Sequence, residues 1–174
     1  RGKHIIFMLF LASMMIPTQV TIIPRFMLFK TFGLYNSFWA LILPALFGAS
    51  TIFFLRQAHK SLPSELVDAA KVDGAGHVTI FARIMVPLTV PALVSMMILI
   101  FISTWNDYLN PLIFLTKPKL FTISQAIRWY MLDEHQRYEL TMAVATSSII
   151  PIVIIFLSSQ KYFIEGIAKS GIKG

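Results

Sequence analysis

Few residues in this chain are equipped for chemistry, and the most informative is a carboxylate. Asp107 stands in Trp105-Asn106-Asp107-Tyr108, inside an otherwise apolar run. A charged side chain at hydrocarbon depth costs about 2.5–3.5 kcal/mol by insertion scales, so it faces a cavity, a partner group or water. Asn106 and Asp107 can hydrogen-bond polar groups, and Trp105 or Tyr108 can stack on a flat face. These four residues, with Gln19 as a weaker fifth, are candidates for lining a polar path. For Asp107 the residues favour the plainer role, a hydrogen bond to a neighbouring helix or a place near the membrane interface.

A second polar group lies in the stretch SLPSELVDAAKVDGAG from Ser61 to Gly76. Ser61 is read as a helix N-cap, with Pro63 in the first turn, where its missing N–H costs little. Glu65 and Asp68 lie near the helix start, where carboxylates complement the dipole. Asp73-Gly74 is a stop signal, and Gly74 can take the left-handed conformation after the last turn. A second helical stretch over about 78–85 leads through Pro87 into the next apolar run. Ala69, Ala70 and Ala75 leave a shallow surface that another backbone can approach, as in a helix seated in a partner's groove. An amphipathic interfacial helix without a partner accounts for the same residues equally well.

Other chemistry has little support. His4, His59, His77 and His135 are scattered, without i,i+4 pairing, so no metal site is expected. No Ser/His/Asp spacing, paired intramembrane Asp or zinc-protease helix is present. There is no Gly-rich phosphate loop, so the chain is not itself an ATPase. With no cysteine, disulfides, thiolate sites and a cysteine nucleophile are excluded. No cofactor is expected.

These residues must be positioned by elements suited to lipid. The 174 residues are 56% hydrophobic and 13% charged, with a mean hydropathy of +0.72. A soluble domain carries about 25% charged residues. The formal net charge of +7 is spread between apolar runs, without a basic stripe, so nucleic acid is not an expected partner. Four runs are long enough to cross a bilayer as helices, at about 5–26, 38–56, 86–115 and 140–159. The predicted fold is therefore an all-α, multi-pass membrane protein forming one domain over 1–174, with a loop at 57–85. Prolines 17, 44, 91 and 151 fall inside or near the runs and predict kinks.

Lys and Arg in the short loops set orientation. With both ends inside, Arg1, Lys3, Arg56, Lys60, Lys71, Arg83, Lys161, Lys169 and Lys173 are cytoplasmic. Arg25, Lys30, Lys117, Lys119, Arg128 and Arg137 are external. The bias places the 57–85 loop and the C-terminus in the cytoplasm. The aromatic stretch 116–139, with Phe121, Trp129, Tyr130 and Tyr138, is predicted to lie at the outer interface.

The loop also resembles a family. Asp68-Ala69-Ala70-Lys71-Val72-Asp73-Gly74-Ala75, followed by Phe81, Ile84, Pro87 and Pro91, is similar to the E-A-A-x-x-x-G loop of ABC importer permeases. Asp68 stands where the family commonly has Glu, and Val86 where it commonly has Leu. Met15-Ile16-Pro17-Thr18-Gln19-Val20, Trp39-Ala40-Leu41-Ile42-Leu43-Pro44 and Trp105-Asn106-Asp107-Tyr108 resemble helix segments of the carbohydrate-type members. Gln160-Lys161-Tyr162-Phe163-Ile164-Glu165-Gly166 and Gly171-Ile172-Lys173-Gly174 resemble the tail of the maltose-type G-like subunit. The resemblance covers nearly the whole chain.

The resemblance implies a permease subunit in the bacterial cytoplasmic membrane, working with an ABC ATPase dimer, a second permease and an extracytoplasmic sugar-binding protein. Glu65, Asp68, Ala69, Ala70, Asp73, Gly74 and Ala75 would dock on the ATPase. The family usually has six membrane helices, so roughly the first hundred residues are expected to be missing here. A permease for another solute shares the loop motif and stays open as an alternative, as does a membrane scaffold without transport.

Overall fold

The computed structural model describes residues 2–132 and 137–171, with side chains described only as far as Lys161 in the last helix. Among the described residues every regular element is helical. The chain divides into two compact units, 1–49 with 101–154, and 50–100 with 155–174.

The first unit opens with α1 (Lys3–Met14) and α2 (Thr18–Thr31), which meet at an angle of 96°. A single span over 5–26 was expected; the structure has a bent pair there, which passes as a span only when its two helices are taken together. Pro17 is the cause of the bend: it has no N–H to donate, and its ring disfavours helical backbone at the preceding residue. α2 then runs past Arg25 to Thr31 and ends in a Schellman motif. Gly33, at φ +69°, donates to Lys30 O at 3.2 Å, and Leu34 donates to Phe29 O at 2.8 Å. Leu34 thereby packs against the small core of Phe29, Ala40 and Phe114, where Ala40 belongs to α3 (Trp39–Ala45).

After α3 the helix relaxes at 46–48, beyond Pro44, and resumes as α4 (Ala49–Lys60). Together they are apolar and long enough to cross a bilayer over Trp39–Lys60, a little longer than the expected 38–56.

In the second unit, α5 (Ser64–Val72) is followed by α6 (His77–Ile80), a π-helical turn at Phe81–Met85, and α7 (Val86–Trp105). The stretch from His77 to Trp105 forms one candidate span of 29 residues. It differs from the expected 86–115 at both ends. The helix starts earlier because the chain stays helical from His77 through the π turn into α7. It stops at Trp105, and residues 106–108 break it before α8 (Leu109–Phe114). Asn and Asp compete with the helix through their own side chains, which explains the stop.

A 3₁₀ turn at Pro118–Leu120 and α9 (Ile123–Leu132) follow. The last helix, α10 (Tyr138–Gly171), contains the fourth expected run, with its candidate span at Tyr138–Lys161. Three helices thus have the length and composition of a membrane span, or four if the bent α1–α2 pair is one.

Candidate functional sites

The loop helix α5 is short, and its two ends are built differently. Ser61 does not cap it: its hydroxyl donates to Ala58 O at 2.8 Å, closing the preceding helix instead. Pro63, with ψ 131°, is the residue that turns the chain into α5, so the N-terminus has no side-chain cap. Glu65 in the first turn answers the dipole instead. At the other end the reading of Gly74 holds. It has φ +78° and donates to Lys71 O at 3.0 Å, while Ala75 donates to Ala70 O at 2.9 Å. These two bonds form a Schellman motif, which uses up the last carbonyls of the helix and turns the chain sharply. A Cβ at Gly74 would meet nothing within 4 Å, so the requirement for glycine is conformational and not steric.

The faces of α5 divide its residues. Ala70 is buried, whereas Glu65, Asp68, Ala69, Asp73 and Gly74 are exposed and Ala75 is half-buried. The two alanines therefore serve opposite sides, one anchoring the helix and one leaving it open to approach. Asp68 and Lys71 form an exposed ion pair at 2.8 Å. Val72 is 88% exposed and Val78 81%, which leaves apolar surface beside the turn.

The residues 105–108 form a different kind of site. Trp105 Nε1 donates to Ser148 O at 3.1 Å, and its ring stacks on Phe101 at 5.4 Å. Asn106 Nδ2 donates back to Ile102 O at 2.8 Å, so it closes the end of α7. The Asp107 carboxylate accepts from Asn110 N at 3.2 Å and from Asn110 Nδ2 at 2.8 Å, both in α8. Ser124 Oγ donates to Asp107 O at 2.7 Å. Tyr108 is half-buried, and Gln19 is exposed on α2, away from any of these bonds. Asp107 lies in the break between α7 and α8 and not within one continuous helix.

Three participants were not foreseen. Arg25 Nη2 donates to Asn110 Oδ1, and the guanidinium carbon lies 5.0 Å from the Phe114 ring centre. Asp107 attracts the same guanidinium. Asn36, at φ +58°, accepts at Oδ1 from Thr116 N (2.6 Å), Thr116 Oγ1 (2.9 Å) and Lys117 N (3.2 Å). Its own N–H donates to Phe114 O at 3.0 Å. Gln125, buried, donates to Leu115 O at 3.0 Å and accepts from Thr122 N at 3.3 Å. The one sequence signal for Arg25 was a cation placed within an apolar run. The tail motif from Tyr162 onward lies outside the residues with described side chains, as do Asp133 to Gln136 outside the described chain.

Comparison with known proteins places this geometry in a family. The arabinooligosaccharides transport system permease protein AraQ of Halalkalibacterium halodurans is 37% identical over the whole chain, which spans 62% of that protein. The sn-glycerol-3-phosphate transport system permease protein UgpE of Salmonella typhi is 31% identical over 97% of the chain and 60% of its own length. A crystal structure of a bacterial ABC transporter involved in the import of the acidic polysaccharide alginate superposes with a TM-score of 0.78. It covers 94% of this chain and 62% of that one, at 24% identity, and so shares the fold. Residues 1–169 match the family described as binding-protein-dependent transport system inner membrane component. The chain, a multi-pass membrane protein with the loop turn and helix breaks described above, belongs to that family.

Proposed function

We propose that this chain belongs to a permease subunit of an ATP-driven importer, carrying a sugar or oligosaccharide across the bacterial cytoplasmic membrane. The observation that carries the reading is the loop helix Ser64–Val72, closed by the Gly74–Lys71 and Ala75–Ala70 hydrogen bonds and exposed at Asp68 and Ala69. Such a short, rigid, half-exposed helix suits a groove on a partner. Its partner is a separate ATPase dimer, and closure of that dimer switches the spans between two states through differential contacts. The charge asymmetry of the loops supports a cytoplasmic position for the helix and the C-terminus.

A second permease subunit and an extracytoplasmic binding protein complete the assembly, as the family's description names binding-protein dependence. The sugar assignment draws on the relative named for arabinooligosaccharides; the relative named for sn-glycerol-3-phosphate marks the nearest alternative solute class. The test is reconstitution of the full-length complex with labelled arabinotriose and sn-glycerol-3-phosphate. Binding-protein-dependent, ATP-dependent uptake of the first is expected. Uptake of the second alone would replace the sugar assignment, and a stable complex lacking any ATPase would overturn the transport role.

A further inference from the structure

We propose that His59 and Phe81 form the joint through which the loop helix α5 moves the long helix beginning at His77. This rests on the coupling role proposed above and names the residues that would transmit it.

The two residues stand at the two feet of the loop. His59 is in the last turn of α4, and Phe81 opens the π-helical turn that leads into α7. Their rings stack with centres 6.0 Å apart and planes 13° apart. The stack therefore closes residues 59–81 into a ring from which α5 projects. The ring of His59 is held at a second point. Its Nδ1 lies 2.7 Å from Leu55 O, and since a carbonyl only accepts, Nδ1 carries the hydrogen. Its Nε2 is enclosed without a hydrogen-bond partner. An enclosed acceptor of this kind is unfavourable and calls for a reason. The stack on Phe81 supplies one, because it needs the imidazole face turned to the other foot of the loop.

The π turn gives the same place the means to move. Val86 N–H reaches back five residues to Phe81 O. Such turns are rare and concentrate at functional sites, since the wider turn can tighten to an α-helical one. Buried Thr89 donates to Met85 O at 2.9 Å and to Val86 O at 3.1 Å, fixing the far side of the turn. Without the stack, a push on α5 is absorbed at Ala75–Gly76, just beyond the hydrogen bonds that close the helix. With the stack, the same push reaches the π turn through Phe81.

An aromatic pair on a surface can also serve stability alone, and Phe81 can meet a partner directly. The experiment separates these roles in the full-length transporter, assembled in nanodiscs. In a background with any cysteine elsewhere in the complex replaced, Val72→Cys and Met97→Cys, both at exposed positions, carry a nitroxide pair across the joint. Pulsed dipolar spectroscopy compares the nucleotide-free and ATP–vanadate states, and a photo-crosslinker on Val72→Cys alone reports docking to the ATPase. The expected result is a nucleotide-dependent shift in distance that is lost in His59→Ala, in Phe81→Ala and equally in the double variant. It returns in Phe81→Tyr and in His59→Phe, which keeps the ring and removes the Nδ1 bond, while the crosslink persists in all. A shift retained in both alanine variants overturns the joint, as does loss in Phe81→Ala with His59→Ala unaffected. A crosslink absent from the unmodified background overturns the docking role itself, a distinct failure.

Discussion

Asn110 gives both of its nitrogens to Asp107, the backbone N at 3.2 Å and Nδ2 at 2.8 Å, and receives Arg25 on its remaining oxygen. Asn110 is thus the centre of a three-residue relay in which a cation and an anion share one amide. The carboxylate is engaged in holding the start of α8, which leaves it poorly placed to bind a passing solute.

Asp107→Leu is therefore expected to reduce stability and uptake together. It leaves the Asn110 donors unsatisfied and Arg25 without its counter-charge, at a cost of about 1–3 kcal/mol. Thermal unfolding followed by size-exclusion chromatography, set beside uptake per folded complex, checks this. Uptake lost at unchanged thermal stability would favour a pathway role instead. A double-mutant cycle with Arg25→Met should show the pair variant less damaged than the sum of the single ones.

Asn36 performs two tasks, one with its backbone and one with its side chain. Asn36→Gly keeps the φ of +58° accessible and loses only the acceptor for Thr116 and Lys117. Asn36→Ala loses the acceptor and adds left-handed strain of about 1–2 kcal/mol. Thermal melts should rank the wild type above Asn36→Gly and Asn36→Gly above Asn36→Ala.

Gly74→Ala should strain the Schellman turn by about 1–2 kcal/mol without a clash. Gly74→Pro goes further, because it forbids the φ of +78° and removes the N–H bonded to Lys71 O. Membrane insertion should be normal and uptake lost in the second. Gly76→Ala is the control: its φ is −72° and its surroundings are open, so transport should be unchanged.

The Asp68–Lys71 pair is exposed on both sides, Asp68 at 66% and Lys71 at 52%. Lys71→Ala should then change stability by no more than about 1 kcal/mol. ATP hydrolysis that proceeds without uptake in this variant reports on the helix as a docking surface. Hydrolysis and uptake both at wild-type levels would remove Lys71 from the docking face.

The helical, lipid-suited character of the chain was legible in composition and run length, and Gly74 in its local signal. The misreadings share a cause. Apolar run length cannot see a helix end that local polar side chains create, so 86–115 was read as one span across the break at Asn106–Tyr108. Likewise Ser61 has the right type for an N-cap, but its hydroxyl found Ala58 O first. Pro17 signalled a kink and not its 96° size. Arg25 with Asn110, 85 residues apart, and His59 with Phe81 pair across distances that no periodicity encodes.

Beyond α8, residues 115–117 belong to no helix or strand, and no strand lies beside them among the described residues. Asn36 and Gln125 nonetheless take up Phe114 O, Leu115 O, Thr116 N and Lys117 N between them. The backbone N–H of Asn36 and the side-chain amides of Asn36 and Gln125 thus act as the missing neighbouring strand. In hydrogen–deuterium exchange the amides of Thr116 and Lys117 should resist deuterium as an island of slow exchange in a stretch without secondary structure, and Asn36→Gly should erase it.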